Sequence, residues 1–240
     1  MSDSTVVSAP GRTLAGQVYE ALKRDILSGA LPPGSALLTR DLLDRYGCGV
    51  SPLREALAKL VGEDLLEASD HRGVRVPMPS VRDVEDVYRI RIALEREALA
   101  LAMQHGDDAW EGAILAAAHR LEKAPLPDAI QDKTMAVEGW EARHRAFHTS
   151  LISAAPAPRL LRLIDQMVDH TERYRALRLA HVDQIKLRSE MVSEHRRLME
   201  AVIAREPAAP QLLAEHFDRT CRVVVGILQQ GQATPTKAAG

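Results

Sequence analysis

Hydrophobic positions recur at helical spacing along almost the whole chain. In TLAGQVYEALKRDILSGALPPG, Leu14, Val18, Leu22, Ile26 and Leu27 fall on one face, and Gly29 stands where a helix C-cap belongs. Thr39 is placed to cap a short second helix, TRDLLDRYG, stopped by Gly47. Ser51 followed by Pro52 predicts the start of a third, SPLREALAKLVGEDL, because proline suits a first helical position. Beyond it LLEASDHRGVRVP alternates and turns at Asp70 to Gly73, the pattern of a two-stranded hairpin. Three helices and a hairpin describe a winged helix-turn-helix over residues 13–77, behind a short polar arm, residues 1–12.

Pro77, Pro79 and Ser80 mark a brief linker, and Ser80 with Asp83 resembles a capping box with Asp in place of Glu. From there the periodicity predicts an all-helical bundle of about six helices over residues 78–230. A long helix ends near Gly106, and a second covers 107–124. After the loop PLPDAIQDK, further helices are expected over 133–153, 157–181, 184–205 and 208–230, with a frayed tail at 231–240. No repeat of fixed period is present.

Composition agrees with this division. The chain has 240 residues, 46% hydrophobic and only 3% aromatic, enough for two modest cores built on small and aliphatic side chains. The fold class expected is therefore mainly α. A net charge of -2 and a pI near 6.5 exclude a polycation, so nucleic-acid binding requires a locally arranged basic surface. Cys48 and Cys221 lack CxxC spacing, and no basic-then-apolar leader opens the chain, which suits a reducing cytoplasm. Charges interrupt every apolar run before the roughly 18 to 20 residues that cross a bilayer, so no membrane partner is expected.

The series LKRDILSGALPPGSALLTRDLLDRYG followed by VSPLREALAKLVGEDLLEASDHRGVRV resembles the N-terminal reader of GntR-type bacterial transcription regulators over about residues 14–77. SGALPPG, PLREAL and RGVRV, in that order, are its most specific pieces. In a helix-turn-helix the second helix lies in the major groove, its first turns on base edges. Arg54, near the start of that helix beside Ser51, is placed for a bidentate contact to guanine. Arg40 opens the preceding helix, and both arginines match positions that the family uses on operator DNA. Lys59, Arg72 and Arg75 are candidates for phosphate or wing contacts, and the resemblance puts His71 and Gly73 at a wing tip that reaches the minor groove. Val50 departs from the pattern, since many relatives carry arginine there.

The second chemical signal is histidine. His144 and His148 lie four apart on one face with Trp140, Phe147 and Leu151, while His195 and His216 sit on the apolar faces of two later helices. One histidine on an apolar face is best read as a core residue. Four, from three helices, suggest convergence on a divalent metal, because a desolvated imidazole is biased to the neutral form that ligates one. His105, near a helix end, and His119, in an alanine-rich stretch, show no such pattern, and His170 and His181 read as peripheral.

HRAFHTSLISAAPAPRLLRLI, SEHRRLMEAVIAREP and LLAEHF resemble the ligand-binding bundle of the metal-containing FCD class of GntR regulators. The resemblance implies an Asp, a His four residues on, and one His from each of two later helices as ligands. His148, His195 and His216 match the histidines, and His144 stands where the Asp is usual. An all-nitrogen set favours zinc or nickel. HGDDAWEGAILAAAHRLEK, WEARHRAFHTSLI and ERYRALRL further resemble a CsiR-like subgroup that represses glutarate and related acid catabolism, which implies a small carboxylate effector. Arg91 is the leading clamp for it, in competition with an ion pair to Glu95 four residues on, and Tyr174 and Arg175 are weaker candidates.

HExxH, GxSxG, a Walker loop and a dinucleotide fingerprint are all absent from the sequence. The expectation is a cytoplasmic, homodimeric repressor of a palindromic operator in double-stranded DNA, released by a carboxylate at a metal site. Two alternatives stay open: a metal-free regulator whose histidines touch effector or are structural, and a ligand-independent DNA binder.

Overall fold

In the computed structural model of the chain, residues 13–69, 73–124, 133–181 and 184–233 are described. Residues 1–12, 70–72, 125–132, 182–183 and 234–240, His71 and Arg72 among them, lie outside these. The protein is mainly α-helical and divides into two compact units, Met1–Pro79 and Ser80–Gly240.

The first unit holds α1 (Leu14–Leu27), β1 (Ala36–Leu37), α2 (Thr39–Tyr46), α3 (Val50–Gly62), β2 (Glu67–Ser69) and β3 (Gly73–Arg75). Thr13 caps α1 by accepting from the Gly16 amide, and Gly29, at φ +80°, turns the chain out of the helix. Val18, Leu22 and Ile26 of α1 meet Leu53, Ala56 and Leu60 of α3 in one core with Leu65, Leu66 and Val76. Asp25 of α1 accepts from the Tyr46 hydroxyl at 2.7 Å and from Arg45, tying α2 to α1.

Three local expectations are corrected. The wing sheet has three antiparallel strands in the order β1-β3-β2, with Leu37 opposite Val74 and Ala68 also opposite Val74. At two residues β1 is too short to show alternation, and its partner is distant in sequence. Thr39 is the first residue of α2 rather than its cap, and Leu38 in the cap position makes no side-chain bond. Helix α3 starts at Val50, not Ser51, which puts Pro52 third. All of the first four helical N–H groups lack intrahelical acceptors, so the third position tolerates proline as the first does.

The second unit is a bundle of α4 (Val81–His105), α5 (Asp108–Glu122), α6 (Lys133–Ile152), α7 (Pro158–His181), α8 (Gln184–Ile203) and α9 (Ala209–Ala233). These bounds agree with the periodicity to within a helical turn. Ser80 and Asp107 cap α4 and α5 through the amides of Asp83 and Trp110. Helix α4 packs mainly on α9 and α7, while α5 packs on α6 and α8. Tyr88, Leu99, Phe147, Leu151, Val202, Leu213 and Phe217 belong to the shared core. No helix among the described residues is long and apolar enough to cross a membrane.

Candidate metal centre and nucleic-acid interface

The inward face of α6 carries Trp140, Glu141, His144, Phe147, His148 and Leu151, all buried. On α8 His195 is buried with Leu198 and Val202, and on α9 His216 with Leu213 and Phe217. The bundle therefore brings all four predicted histidines together: one ring nitrogen from each lies within 4.8 Å of the others. Ring centroids of His144 and His148 are 4.5 Å apart, and those of His195 and His216 4.7 Å. Trp140 stacks on His144 at 4.6 Å, and Phe147 and Phe217 meet His148 at 5.2 and 5.1 Å, closing the cluster with aromatic walls.

Burial holds His144 and His148 well below the usual histidine range, with neighbouring imidazoles and the charges of Arg91 and Arg175 adding to the effect on His148. Both rings are thus neutral at physiological pH. Their Nε2 atoms face each other at 3.2 Å, while each Nδ1 is buried with no hydrogen-bond partner among the described residues. Two neutral rings can share one hydrogen bond across that gap, whereas a cation takes a lone pair from each. Metal–nitrogen bonds of about 2.0–2.1 Å place neighbouring ligand nitrogens about 3 Å apart, so the gap between these two suits a pair of ligands to one small divalent ion. His216 Nδ1 lies 3.0 Å from Glu194, which Arg219 also engages. Burial opposes ionisation of Glu194, but the bonds and charges of His216 and Arg219 outweigh it and lower its pKa. A carboxylate there keeps the His216 proton on Nδ1 and Nε2 bare, the arrangement that orients metal-ligating histidines.

Two buried arginines adjoin the cluster. Arg91, 1% exposed, donates from Nε to Glu95 at 2.7 Å and from Nη1 to Thr171, with its guanidinium 4.1 Å from the Phe217 ring centre. Arg175 grips Glu141 through Nε and Nη2, the shorter bond 2.7 Å, and also reaches Thr171. The Arg91–Glu95 ion pair weighed from the sequence is therefore present. Tyr174 is directed elsewhere: its hydroxyl engages Asp83 near the start of α4 and Arg173. A cavity of about 320 Å³ opens beside His195 and Trp140 between α5, α6 and α8, but its walls include neither Arg91 nor Arg175.

Sequence reading missed Glu141, Thr171 and Glu194. Glu141 carried a signal, an acidic residue three before His144 on an apolar face; Glu194 carried none, because its partner is on another helix. His170, read as peripheral, is buried.

In the first unit Arg40, Ser51 and Arg54 are exposed, and Arg40 lies 3.4 Å from Asp41. Lys59, toward the far end of α3, sits 3.6 Å over the Tyr19 ring. His71 and Arg72 lie outside the described residues. Gly73 has a structural reason as well: a Cβ there would come within 3.0 Å of the Leu37 carbonyl oxygen. Helices α1, α4 and α5 are capped by side chains, but α2 and α3 are not, which leaves their first-turn amides available to an anion such as phosphate.

Comparison with known proteins adds to this geometry. Residues 14–76 match the family described as bacterial regulatory proteins, gntR family, and residues 86–219 match the FCD domain. The chain is 34% identical to the HTH-type transcriptional repressor GlaR of Escherichia coli, over 90% of this chain and 96% of that protein. It is 33% identical to the HTH-type transcriptional regulator BphR of Paraburkholderia xenovorans, over 92% and 89%. The solved structure of E. coli McbR/YncC shares its fold, with a TM-score of 0.76 at 24% identity, covering 92% of this chain and 99% of that one.

Proposed function

The chain belongs to the GntR family of bacterial transcription regulators with an FCD domain, a DNA-binding regulator and not an enzyme, and from that premise we propose that it is a metal-dependent, carboxylate-responsive repressor. Residues 13–77 read the operator through Arg40, Ser51 and Arg54, with Lys59, His71, Arg72 and Gly73 toward the backbone and wing. Residues 78–230 form the dimerising sensor, and 1–12 and 231–240 its arm and tail. The protein works in the cytoplasm as a homodimer, whose two-fold symmetry matches two half-sites.

The observation that carries the sensor reading is the meeting of four buried imidazoles within 4.8 Å, next to two buried arginines. His144, His148, His195 and His216 hold a divalent ion, with zinc or nickel suited to an all-nitrogen set. Bound there, the ion supplies positive charge and an open position for a carboxylate. Each arginine is already matched by a buried glutamate, so with four neutral ligands the centre carries the ion's two charges uncompensated and selects an anion. Arg91 and Arg175 hold the far end of the effector by exchanging partners with Glu95 and Glu141. Effector and DNA favour different dimer conformations, so each weakens the other by the same factor.

The test is elemental analysis of purified protein beside a His148→Ala, His195→Ala variant, followed by a screen of dicarboxylates for operator release. About one zinc or nickel per chain, absent from the variant, with glutarate-like acids weakening DNA binding, is the expected result. Protein that takes up no metal after reloading would end the metal reading while leaving the regulator intact.

A further inference from the structure

Val50 is half exposed, at 51%, on the first turn of α3, outside the core of its unit. The core face of α3 is Leu53, Ala56 and Leu60, and a β-branched residue at a helix surface is neither a good helix former nor a source of solubility. Arg54 and Ala58, four and eight residues on, are also exposed, so Val50, Arg54 and Ala58 form one line along the helix, with Ser51 and Glu55 beside it. Gly49 precedes it with extended backbone and no side chain to hold the end of the helix away from a partner surface. Leu38, exposed to a similar degree, precedes α2, the helix that crosses the sugar-phosphate backbone, where an isobutyl group meets no base edge.

A valine side chain has no donor or acceptor. Against guanine O6 and N7, adenine N7 or cytosine N4 it would strip water from a polar edge and return no hydrogen bond. The one apolar feature of the major groove is the thymine C5 methyl. Residues four apart on a helix are about 6 Å apart along its axis, or about one to two base-pair steps of duplex.

We propose that Val50 is a specificity-determining residue that reads a thymine methyl in each half-site, one or two base pairs from the guanine read by Arg54. The proposal rests on the DNA-reading role of α3 given above and names one base of its preference.

The full-length protein is used to select duplexes from a library with a randomised core. Each thymine of a selected duplex is then replaced in turn by deoxyuridine, which removes only the methyl group, and affinity is followed by fluorescence anisotropy at fixed salt. The expected result is one thymine per half-site at which uracil weakens wild-type binding about four-fold, the effect of returning one methyl to water. Val50→Ser should lose that sensitivity, and Val50→Arg should shift the selected base from thymine to guanine. Equal response of wild type and Val50→Ser to every replacement would overturn the assignment of Val50 while leaving DNA binding intact. Selection of no duplex would overturn the DNA-reading premise and this assignment with it.

Discussion

Removing Arg91 tests how the sensor core is held together. Arg91 and Glu95 are each 1% exposed, and their bond is 2.7 Å. The second Glu95 oxygen is buried with no hydrogen-bond partner among the described residues, so Arg91→Ala strands a carboxylate in the apolar interior. Breaking one side of such a pair costs about 3–5 kcal/mol, a large fraction of the about 5–15 kcal/mol that holds a domain folded. With an m-value of about 2–3 kcal/mol/M, the urea midpoint should fall by about 1 to 2.5 M. Trp110 and Trp140 are the protein's two tryptophans and both lie in the bundle, so their fluorescence follows this unit. Burial raises the Glu95 carboxyl above its ordinary 4.5, with Arg91 holding it back, and the variant lets it rise further. Folded Glu95 then keeps a proton that the unfolded chain has released, so stability falls as pH rises from 4.5 through the raised folded value. The variant's deficit is therefore smallest on the acid side of that window. Arg91→Met combined with Glu95→Leu leaves no stranded charge and should recover most of the loss. A single variant within about 0.5 kcal/mol of wild type, the range of ordinary surface substitutions, would refute the buried-pair reasoning. Loss of effector response in Arg91→Ala reports this instability as well as a lost ligand contact.

Arg54→Ala should weaken operator binding about 5- to 150-fold, the range for one bidentate base contact, with no change in the thermal midpoint because the side chain is exposed; titration of selected duplexes beside a melting curve checks both halves. Glu194→Gln should lower metal affinity about 10- to 100-fold by releasing the orientation of His216, measured by competition with a chelating dye; unchanged affinity would dismiss the Glu194–His216 bond as a support. Gly106→Ala would drive a Cβ to 2.0 Å from the Trp110 ring, which is held by its bond to the Ser150 carbonyl. Overpacking of this kind costs about 1–3 kcal/mol, visible as a lower bundle melting temperature, and a neutral result would show that the indole moves aside freely.

Most of the fold was legible along the chain because helices are local. Apolar spacing, Ser80 and the glycines Gly29 and Gly47 place α1 to α9 to within a turn, with no reference to distant residues. The inward direction of His144 and His148 was legible for the same reason, as was the choice between clamp and ion pair that Arg91 presented. Convergence was not, because nothing in the spacing of α6, α8 and α9 dictates how three helices rotate about their axes. Packing of Phe147, Leu198, Leu213 and Phe217 decided that, and with it the 4.8 Å meeting of four imidazoles. The pairing of β1 with β3, and the partnerships of Glu141 with Arg175 and Glu194 with His216, likewise join residues more than twenty positions apart. Which surfaces are apolar and which side chains can carry charge follow from the order of residues alone, since those are properties of single residues and short periods. Which buried charge meets which is set by the folded bundle, because a buried ion survives by its partner, and that partner is chosen by packing.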